Sequence, residues 1–208
     1  MRDAASPGHA GLARLTRRCA FMALFAATLL AACSTPPDRP ATPPLTHDRH
    51  PPVNLDVGSL TVEQVYMPPM QAPHVEHLAP LGPAEAVRNW AKQRITTSGE
   101  SGGATLTIAD ASIKEVPLDT EGGLTGFFTT EPAAKYRGRV AVRLETEMPG
   151  QTGEIFVRAE RVVGMQEDAT LNERRQIWYD LVRDLMADLD EQFEETARRR
   201  LEPFLLSR

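Results

Sequence analysis

The residue in this sequence with the most informative chemistry is a cysteine, Cys33. It directly follows two alanines at the end of an apolar run, and three arginines precede that run. A positive flank, a short apolar core and small residues at the end are typical of a secretory signal peptide. The run spans about 11 residues, which is too short for a membrane-spanning helix of about 20.

Leu30, Ala31, Ala32 and Cys33 resemble the lipobox of bacterial lipoproteins. The resemblance implies that residues 1–32 form a signal peptide and that Cys33 becomes the first residue of the mature chain. It also implies a thioether-linked diacylglycerol on Cys33, usually with a third acyl chain on its amine. Two or more acyl chains give stable anchoring in a membrane. An ordinary cleaved signal peptide is the alternative, because residues that suit its cleavage site are also present.

The residue after the cysteine bears on localisation. In the lipobox family an aspartate at that position keeps a protein in the inner membrane, whereas Ser34 stands here. The resemblance therefore implies a protein attached to the outer membrane, with its folded part in the periplasm. The partners it implies are the membrane, through the acyl chains on Cys33, and a protein complex of the cell envelope.

Histidines are the next residues that could do chemistry, and they occur in two groups. His47 and His50 lie three residues apart, and His74 and His77 flank Glu76. A zinc site needs three or four protein ligands, and the sequence nominates no further ones. We interpret the first pair as solvated residues of a tether and the second group as part of a packed loop. No metal or other cofactor is predicted.

Composition excludes one large class of partner. The chain has 208 residues and a net charge of −5, and its leader contains four arginines and one aspartate, so the mature chain carries −8. Affinity for nucleic acid comes from clustered lysines and arginines, so we expect no nucleic-acid binding. The length leaves room for one domain and a tether.

The division of the chain follows from proline. Residues 34–52 contain seven prolines and no periodic apolar face. Such a segment favours an extended polyproline conformation, which could reach roughly 60 Å and hold a domain off the membrane. We therefore predict a lipidated cysteine and tether over residues 33–52 and a single domain over residues 53–208.

The first half of that domain predicts a strand, a helix and a second strand. Apolar residues alternate from Val53 to Val62 with a change of phase at Gly58, which predicts one strand with a bulge at that glycine. A helix begins at Pro83, and its apolar face includes Ile95. A second bulged strand follows, with the bulge near Asp110.

The second half predicts a hairpin and a long helix. Alternating apolar residues over 140–145 and 155–160 indicate two antiparallel strands with one solvated face. Thr170 and Glu173 match a capping box, and a helix of about 30 residues follows it. The acidic residues of this helix are interpreted as a solvated face rather than as a catalytic carboxylate pair. The apolar residues of its opposite face are Trp178, Leu181, Val182, Leu185, Met186, Leu189 and Phe193.

These elements predict an α+β two-layer sandwich in the order β-α-β-β-β-α, with a four-stranded, largely antiparallel sheet and both helices on one face. The architecture resembles small outer-membrane assembly and transport-auxiliary lipoproteins, such as the lipopolysaccharide-assembly lipoprotein and the auxiliary lipoproteins of lipid ABC transporters. The likeness lies in the lipobox, the size and the element order.

One stretch, residues 121–136, does not match a core pattern. It has three glycines and the adjacent aromatics Phe127 and Phe128, and it is predicted to be a loop. It lacks the Gly-Lys-Ser/Thr of a phosphate-binding loop. Either the phenylalanines pack under the domain in a glycine-rich turn, or they form an exposed aromatic contact for a partner or a lipid. Neighbouring strand residues point to opposite faces, so we expect one of the two to contact a partner or the membrane interface.

Two functions from different classes follow. The first is a non-enzymatic envelope protein that acts as an accessory or assembly factor through protein binding. The alternative is a transport-auxiliary lipoprotein that binds a lipid or small molecule in an apolar groove between helix and sheet. An enzyme is not predicted, because the sequence shows no recognisable pair of a nucleophile and a general base.

Overall fold

A computed structural model describes residues 43–116 and 134–206 of the chain. Two helices, α1 (Pro83–Arg94) and α2 (Leu171–Arg200), pack on one face of a four-stranded sheet, so the predicted α+β two-layer architecture is confirmed. The strands of this sheet lie side by side in the order β2 (Leu60–Gln64), β4 (Gly103–Val116), β5 (Ala134–Met148) and β6 (Gln151–Met165). β2 is parallel to β4, and the other neighbours are antiparallel.

A second, two-stranded sheet corrects one prediction. β1 (Val53–Leu55) pairs in parallel with β3 (Ile95–Thr97), whereas β2 belongs to the main sheet. The single bulged strand expected over 53–62 is therefore wrong, because the chain passes from one sheet to the other at Gly58. Ile95 was also misplaced, since α1 ends at Arg94. The β-branched run that begins at Ile95 favours a strand over another helical turn.

The other strands follow the predicted pattern more closely. The register of β4 against β5 shifts between Ile108 and Asp110, which confirms the predicted bulge. β5 and β6 form a hairpin whose turn contains Gly150 at a φ of 84°, a conformation that glycine adopts without strain. β5 already begins at Ala134, so the last residues of the expected loop are strand. Tyr136 is buried there, with its ring 5.6 Å from that of Trp178.

Helix α2 begins and packs as predicted. The hydroxyl of Thr170 accepts a hydrogen bond from the Glu173 N–H at 3.3 Å, and the Glu173 carboxylate accepts the Thr170 N–H at 2.7 Å. The helix has 30 residues, and all seven apolar residues predicted for its core face are buried. Within residues 43–116 and 134–206, no helix is both long and apolar enough to cross a membrane.

The segment before β1 corrects the extent of the tether. Leu45 is buried, and the carbonyl of Pro43 accepts a hydrogen bond from the Tyr179 hydroxyl at 3.1 Å. His47 N donates to the Gln93 side chain, and His50 contacts the Glu191 carboxylate, each at 3.1 Å. Both histidines are half-buried, so their interpretation as solvated tether residues is wrong. An extended proline-rich chain makes no internal hydrogen bonds, and helix side chains supply partners instead.

Candidate functional site

The residues singled out from the sequence as sites are not among those whose structure is described. Cys33, Phe127 and Phe128 all lie outside residues 43–116 and 134–206. Their predicted roles, lipidation and partner contact, therefore stay predictions. The described residues contain two buried polar clusters and one open sheet face, and each is a candidate for function.

The first cluster joins Tyr66, His74 and Glu76 beside the edge of β4. The Tyr66 hydroxyl donates to Glu76 Oε1 at 2.6 Å, and His74 Nδ1 lies 3.2 Å from the same oxygen. Glu76 Oε2 accepts the backbone N–H of Ile113 at 3.2 Å. β2 pairs with β4 only as far as Ile108, so Glu76 accepts a strand N–H that β2 does not reach.

The pKa shifts in this cluster favour an ionised Glu76 and a protonated Tyr66. Burial alone would raise the pKa of Glu76, but hydrogen bonds from Tyr66 and the backbone, together with His74, lower it below its usual value. Burial and the bond to Glu76 raise the pKa of Tyr66. A general acid or base works best with a pKa near the operating pH, and both shifts move these groups away from neutrality.

The second cluster is centred on Arg94, which is fully buried. Its Nε donates to Asp190 Oδ1 at 2.5 Å, and its Nη2 donates to Glu194 Oε2 at 2.7 Å. Trp90 Nε1 donates to the same Asp190 oxygen at 2.8 Å. Arg94 Nη1 donates to the backbone carbonyl oxygens of His50 and Pro51, in the segment before β1. All three guanidinium nitrogens of Arg94 and the indole nitrogen of Trp90 donate to protein acceptors, so the cluster is a structural link.

This cluster corrects the interpretation of the acidic residues of α2 as a solvated face. Asp190 and Glu194 are both buried. Burial alone would raise the pKa of Glu194, but hydrogen bonds from Arg198 and Arg94 lower it. The sequence did carry a signal: Asp190 lies four residues after Met186, and Glu194 lies four residues after Asp190, so both lie along the apolar stripe of the helix.

The open face of the main sheet is the surface that the helices leave uncovered. Alternation along β5 and β6 directs one set of side chains into the core and the other set outward. The outward residues of β5 are Lys135, Arg137, Arg139, Ala141, Arg143, Glu145 and Glu147, and those of β6 are Thr152, Glu154, Phe156, Arg158, Glu160 and Val162. A sheet face with so many charged side chains is suited to contact with water or with a polar partner.

Neighbouring charges on the open face pair with one another in part. Arg143 Nη1 lies 2.7 Å from Glu154 Oε1, and Arg139 Nε lies 2.8 Å from Glu160 Oε2. The Arg143 guanidinium also lies over the Phe156 ring, 5.9 Å from its centroid. These side chains are nearly half-exposed, and ion pairs of that kind contribute at most about 1 kcal/mol each. The pairs therefore orient the side chains more than they stabilise the fold.

Two clefts open on this face. One, of about 300 Å³, lies over the small side chain of Ala141 and is lined by Asp110, Arg139, Phe156 and Arg158. The other, of about 990 Å³, lies at the hairpin end and is polar, with Glu145, Glu147 and Glu154 among its lining residues. Both are open to solvent on a rigid sheet, which suits a protein contact better than enclosure of a small molecule.

Metal chemistry finds no support in the part of the chain that the structure describes. No group of three histidine, cysteine, aspartate or glutamate side chains is placed there to hold an ion. His74 and Glu76 are close to each other, but the Tyr66 hydroxyl contacts both His74 Nδ1 and Glu76 Oε1.

No protein-family model matches the chain, and no curated protein is significantly similar to it.

Proposed function

We propose that the protein is a non-enzymatic, lipid-anchored envelope protein that acts as an accessory or assembly factor by binding other proteins. The observation that carries the proposal is the sequence Leu30-Ala31-Ala32-Cys33, with Ser34 after it. In this proposal, acyl chains on Cys33 attach the protein to the outer membrane, and its domain faces the periplasm. Two or more acyl chains suffice for stable attachment.

The packed segment before β1 shortens the stretch of chain that would act as a free tether to the proposed anchor. Only ten peptide units separate Cys33 from Pro43, where the described contacts with the domain begin. A fully extended chain of that length spans at most about 36 Å, compared with the roughly 60 Å expected for a free tether over 34–52. The domain would thus work within a few tens of ångströms of the membrane surface, by the same chain dimensions.

Two features of the domain support protein binding over binding of an apolar ligand. The interface between helices and sheet is filled where it is described, since Trp90, Leu185, Met186 and Phe193 have no exposed surface. In contrast, Phe156 on the open face is 49% exposed, amid arginines and glutamates. Aromatic and arginine side chains are enriched at protein interfaces. The open face is therefore the proposed protein-binding surface.

The anchor is tested with a Cys33→Ser variant. The wild-type chain should fractionate with the outer membrane, and its mass should include the acyl chains. The variant should lack the lipid mass and either appear as soluble periplasmic protein or stay unprocessed. A variant that remains acylated and membrane-bound, or a wild-type chain without lipid mass, contradicts the proposed anchoring.

The binding surface is tested by crosslinking in intact cells. A photoreactive residue at position 156 probes the open face, and one at position 195, on the exposed side of α2, is the matched control. Position 156 should give a discrete protein adduct that position 195 does not give. Equal, diffuse labelling from both positions would contradict a role for the open face in binding.

A further inference from the structure

Charge on the open face is segregated into two halves. The row Asp110–Ala141–Arg158 crosses the sheet midway along β5. On the hairpin side of this row, four carboxylates face outward with one cation: Glu63, Glu145, Glu147, Glu154 and Arg143. On the other side, four cations face outward with one carboxylate: Lys114, Lys135, Arg137, Arg139 and Glu160. Each half complements the other in sign.

We propose that the open face is the interface of a two-fold symmetric dimer, with a second copy of this chain as the partner. This inference names the partner of the proposed protein-binding surface and so rests on that proposal. The two-fold axis runs between the stacked sheets, along the row through Ala141, perpendicular to β5. Such an axis sets the acidic half of each copy over the basic half of the other, and one interaction is made twice.

The registers specify which residues meet. Glu147 and Lys135 each lie six residues from Ala141 on β5, and Glu145 and Arg137 each lie four residues from it. Rotation about the proposed axis therefore sets Glu147 opposite the second copy's Lys135, and Glu145 opposite its Arg137. It also sets Arg143 opposite the second copy's Arg139, so the opposite charges meet in the two outer rows and not beside the axis. Stacked sheets lie about 10 Å apart, a spacing that long charged side chains directed at each other can bridge.

The isolated chain leaves these charges poorly matched. Glu145 lies directly opposite Glu154 in the hairpin, and like charges opposite each other destabilise a strand pair. Within the described ranges, neither Glu145 nor Glu147 has a cation within ion-pair distance, and Lys135 has no carboxylate. A second copy would supply opposite charges to all three.

The centre of the face has the shape that this arrangement requires. Phe156 projects from β6 one row from the axis, on the acidic side, and is half-exposed. Rotation carries it over the same strand of the second copy, beside the cleft of about 300 Å³ above Ala141. The aromatic ring of each copy would thus lie opposite Glu160 at the rim of the other copy's cleft, near the centre of the interface.

The test uses paired charge reversals in the purified full chain, kept in excess detergent so that copies do not share a micelle by chance. One variant carries Glu145→Arg and Glu147→Arg, and the other carries Lys135→Glu and Arg137→Glu. A control carries Glu167→Arg and Glu195→Arg, which change the net charge as much as the first variant but lie on exposed positions elsewhere. Sedimentation gives the mass, and circular dichroism checks the fold of each chain.

The wild type and the control should form dimers that dissociate as salt is raised, because added ions screen exposed charges. Each reversed variant alone should associate at least about tenfold more weakly, since like charges then face each other. An equimolar mixture of the two reversed variants should dimerise again, because both pairs of halves are then complementary. This recovery also shows that the variants are folded.

Three results would overturn the dimer. They are a wild-type chain that stays monomeric at concentrations of about 100 μM, reversed variants that dimerise alone as well as the wild type, and a mixture that fails to recover. The crosslink from position 156 separates this failure from that of the proposed function. An adduct with a different protein would refute the dimer and leave the protein-binding proposal standing, whereas an adduct with a second copy supports the dimer and the use of the open face as a protein-binding surface.

Discussion

At the scale of single residues, the structure buries ionisable side chains whose burial the sequence pattern did not predict. Glu76 is the clearest case, because its two oxygens together accept the Tyr66 hydroxyl and the Ile113 N–H and also contact His74. A buried carboxylate is tolerated only when its oxygens are satisfied. The cluster thus attaches the irregular segment between β2 and α1 to the edge of β4.

The first prediction concerns pH and Glu76. Its pKa in the folded protein is lower than its ordinary value of 4.5, so its stabilising contribution is complete above that value and is lost as the pH falls through the folded pKa. Glu76→Gln should lower the free energy of unfolding by about 2 kcal/mol at neutral pH. It should also reduce the further loss of stability between about pH 5 and pH 3. Urea unfolding at several pH values measures both effects.

Glu167→Gln is the control for this prediction, because Glu167 is exposed and makes none of these contacts. Its stability should follow that of the wild type at every pH. A Glu76→Gln variant whose acid dependence matches the wild type would contradict the assigned role of the carboxylate.

At the scale of elements, one close approach determines how α2 sits on the sheet. Gly138 of β5 lies directly beneath the helix, and a Cβ atom added there would be 2.5 Å from Leu185 Cδ1 and 3.2 Å from Leu181 Cγ. Leu185 is fully buried. The absence of a side chain at position 138 therefore lets the helix approach the strand, and the leucines fill the space that results.

The second prediction is a coupling between these two positions. Gly138→Ala should destabilise the protein by about 1–3 kcal/mol through overpacking. Leu185→Ala should cost about 2–5 kcal/mol through the cavity it creates. In the double variant the new methyl group occupies part of that cavity, so the combined loss should be smaller than the sum of the two.

Equilibrium unfolding in urea measures all three variants. Gly58→Ala is a suitable control, because an added Cβ there meets only ordinary contacts of 3.5 Å or more. Strictly additive losses for Gly138 and Leu185 would contradict the packing described here. An unchanged stability for Leu185→Ala would show that this face of α2 is not core.

At the scale of the whole molecule, Arg94 connects three parts that are distant in the chain. It lies at the end of α1 and binds Asp190 and Glu194 of α2, and it also binds the carbonyl oxygens of His50 and Pro51. Two helices and the N-terminal segment thus share one buried cation. The same residue therefore affects both the fold and the length of free chain that leads to Cys33.

The third prediction is the cost of removing that cation. Arg94→Met should reduce the free energy of unfolding by about 3–5 kcal/mol, because the buried carboxylates of Asp190 and Glu194 both lose their hydrogen bonds from the Arg94 guanidinium. It should also loosen the N-terminal segment, so that the His47 amide exchanges with solvent faster. Thermal unfolding and hydrogen exchange measure the two effects.

Arg88→Met is the matched control, since Arg88 lies on the same helix but is exposed and donates a hydrogen bond to the Gln64 side chain. It should change stability by less than about 1 kcal/mol. If Arg94→Met were no more destabilising than the control, the buried cluster would not hold these parts together.

Elements with a strong local pattern were predictable from the sequence. The capping box at Thr170 and the apolar stripe after it determine where α2 begins and which face it buries, because both signals lie within a few residues of one another. The bulge near Asp110 and the β5–β6 hairpin follow in the same way from alternation. The proposed anchor at Cys33 likewise depends only on adjacent residues.

The tertiary structure alone decided which distant residues meet. Val53 to Leu55 and Ile95 to Thr97 each have strand character, but their pairing depends on how α1 returns the chain. Arg94 binds Asp190 and Glu194, which lie 96 and 100 residues after it in the sequence. Local periodicity reports which face of an element is buried, whereas the partner of a buried charge or a packed proline-rich segment is set by contacts between elements.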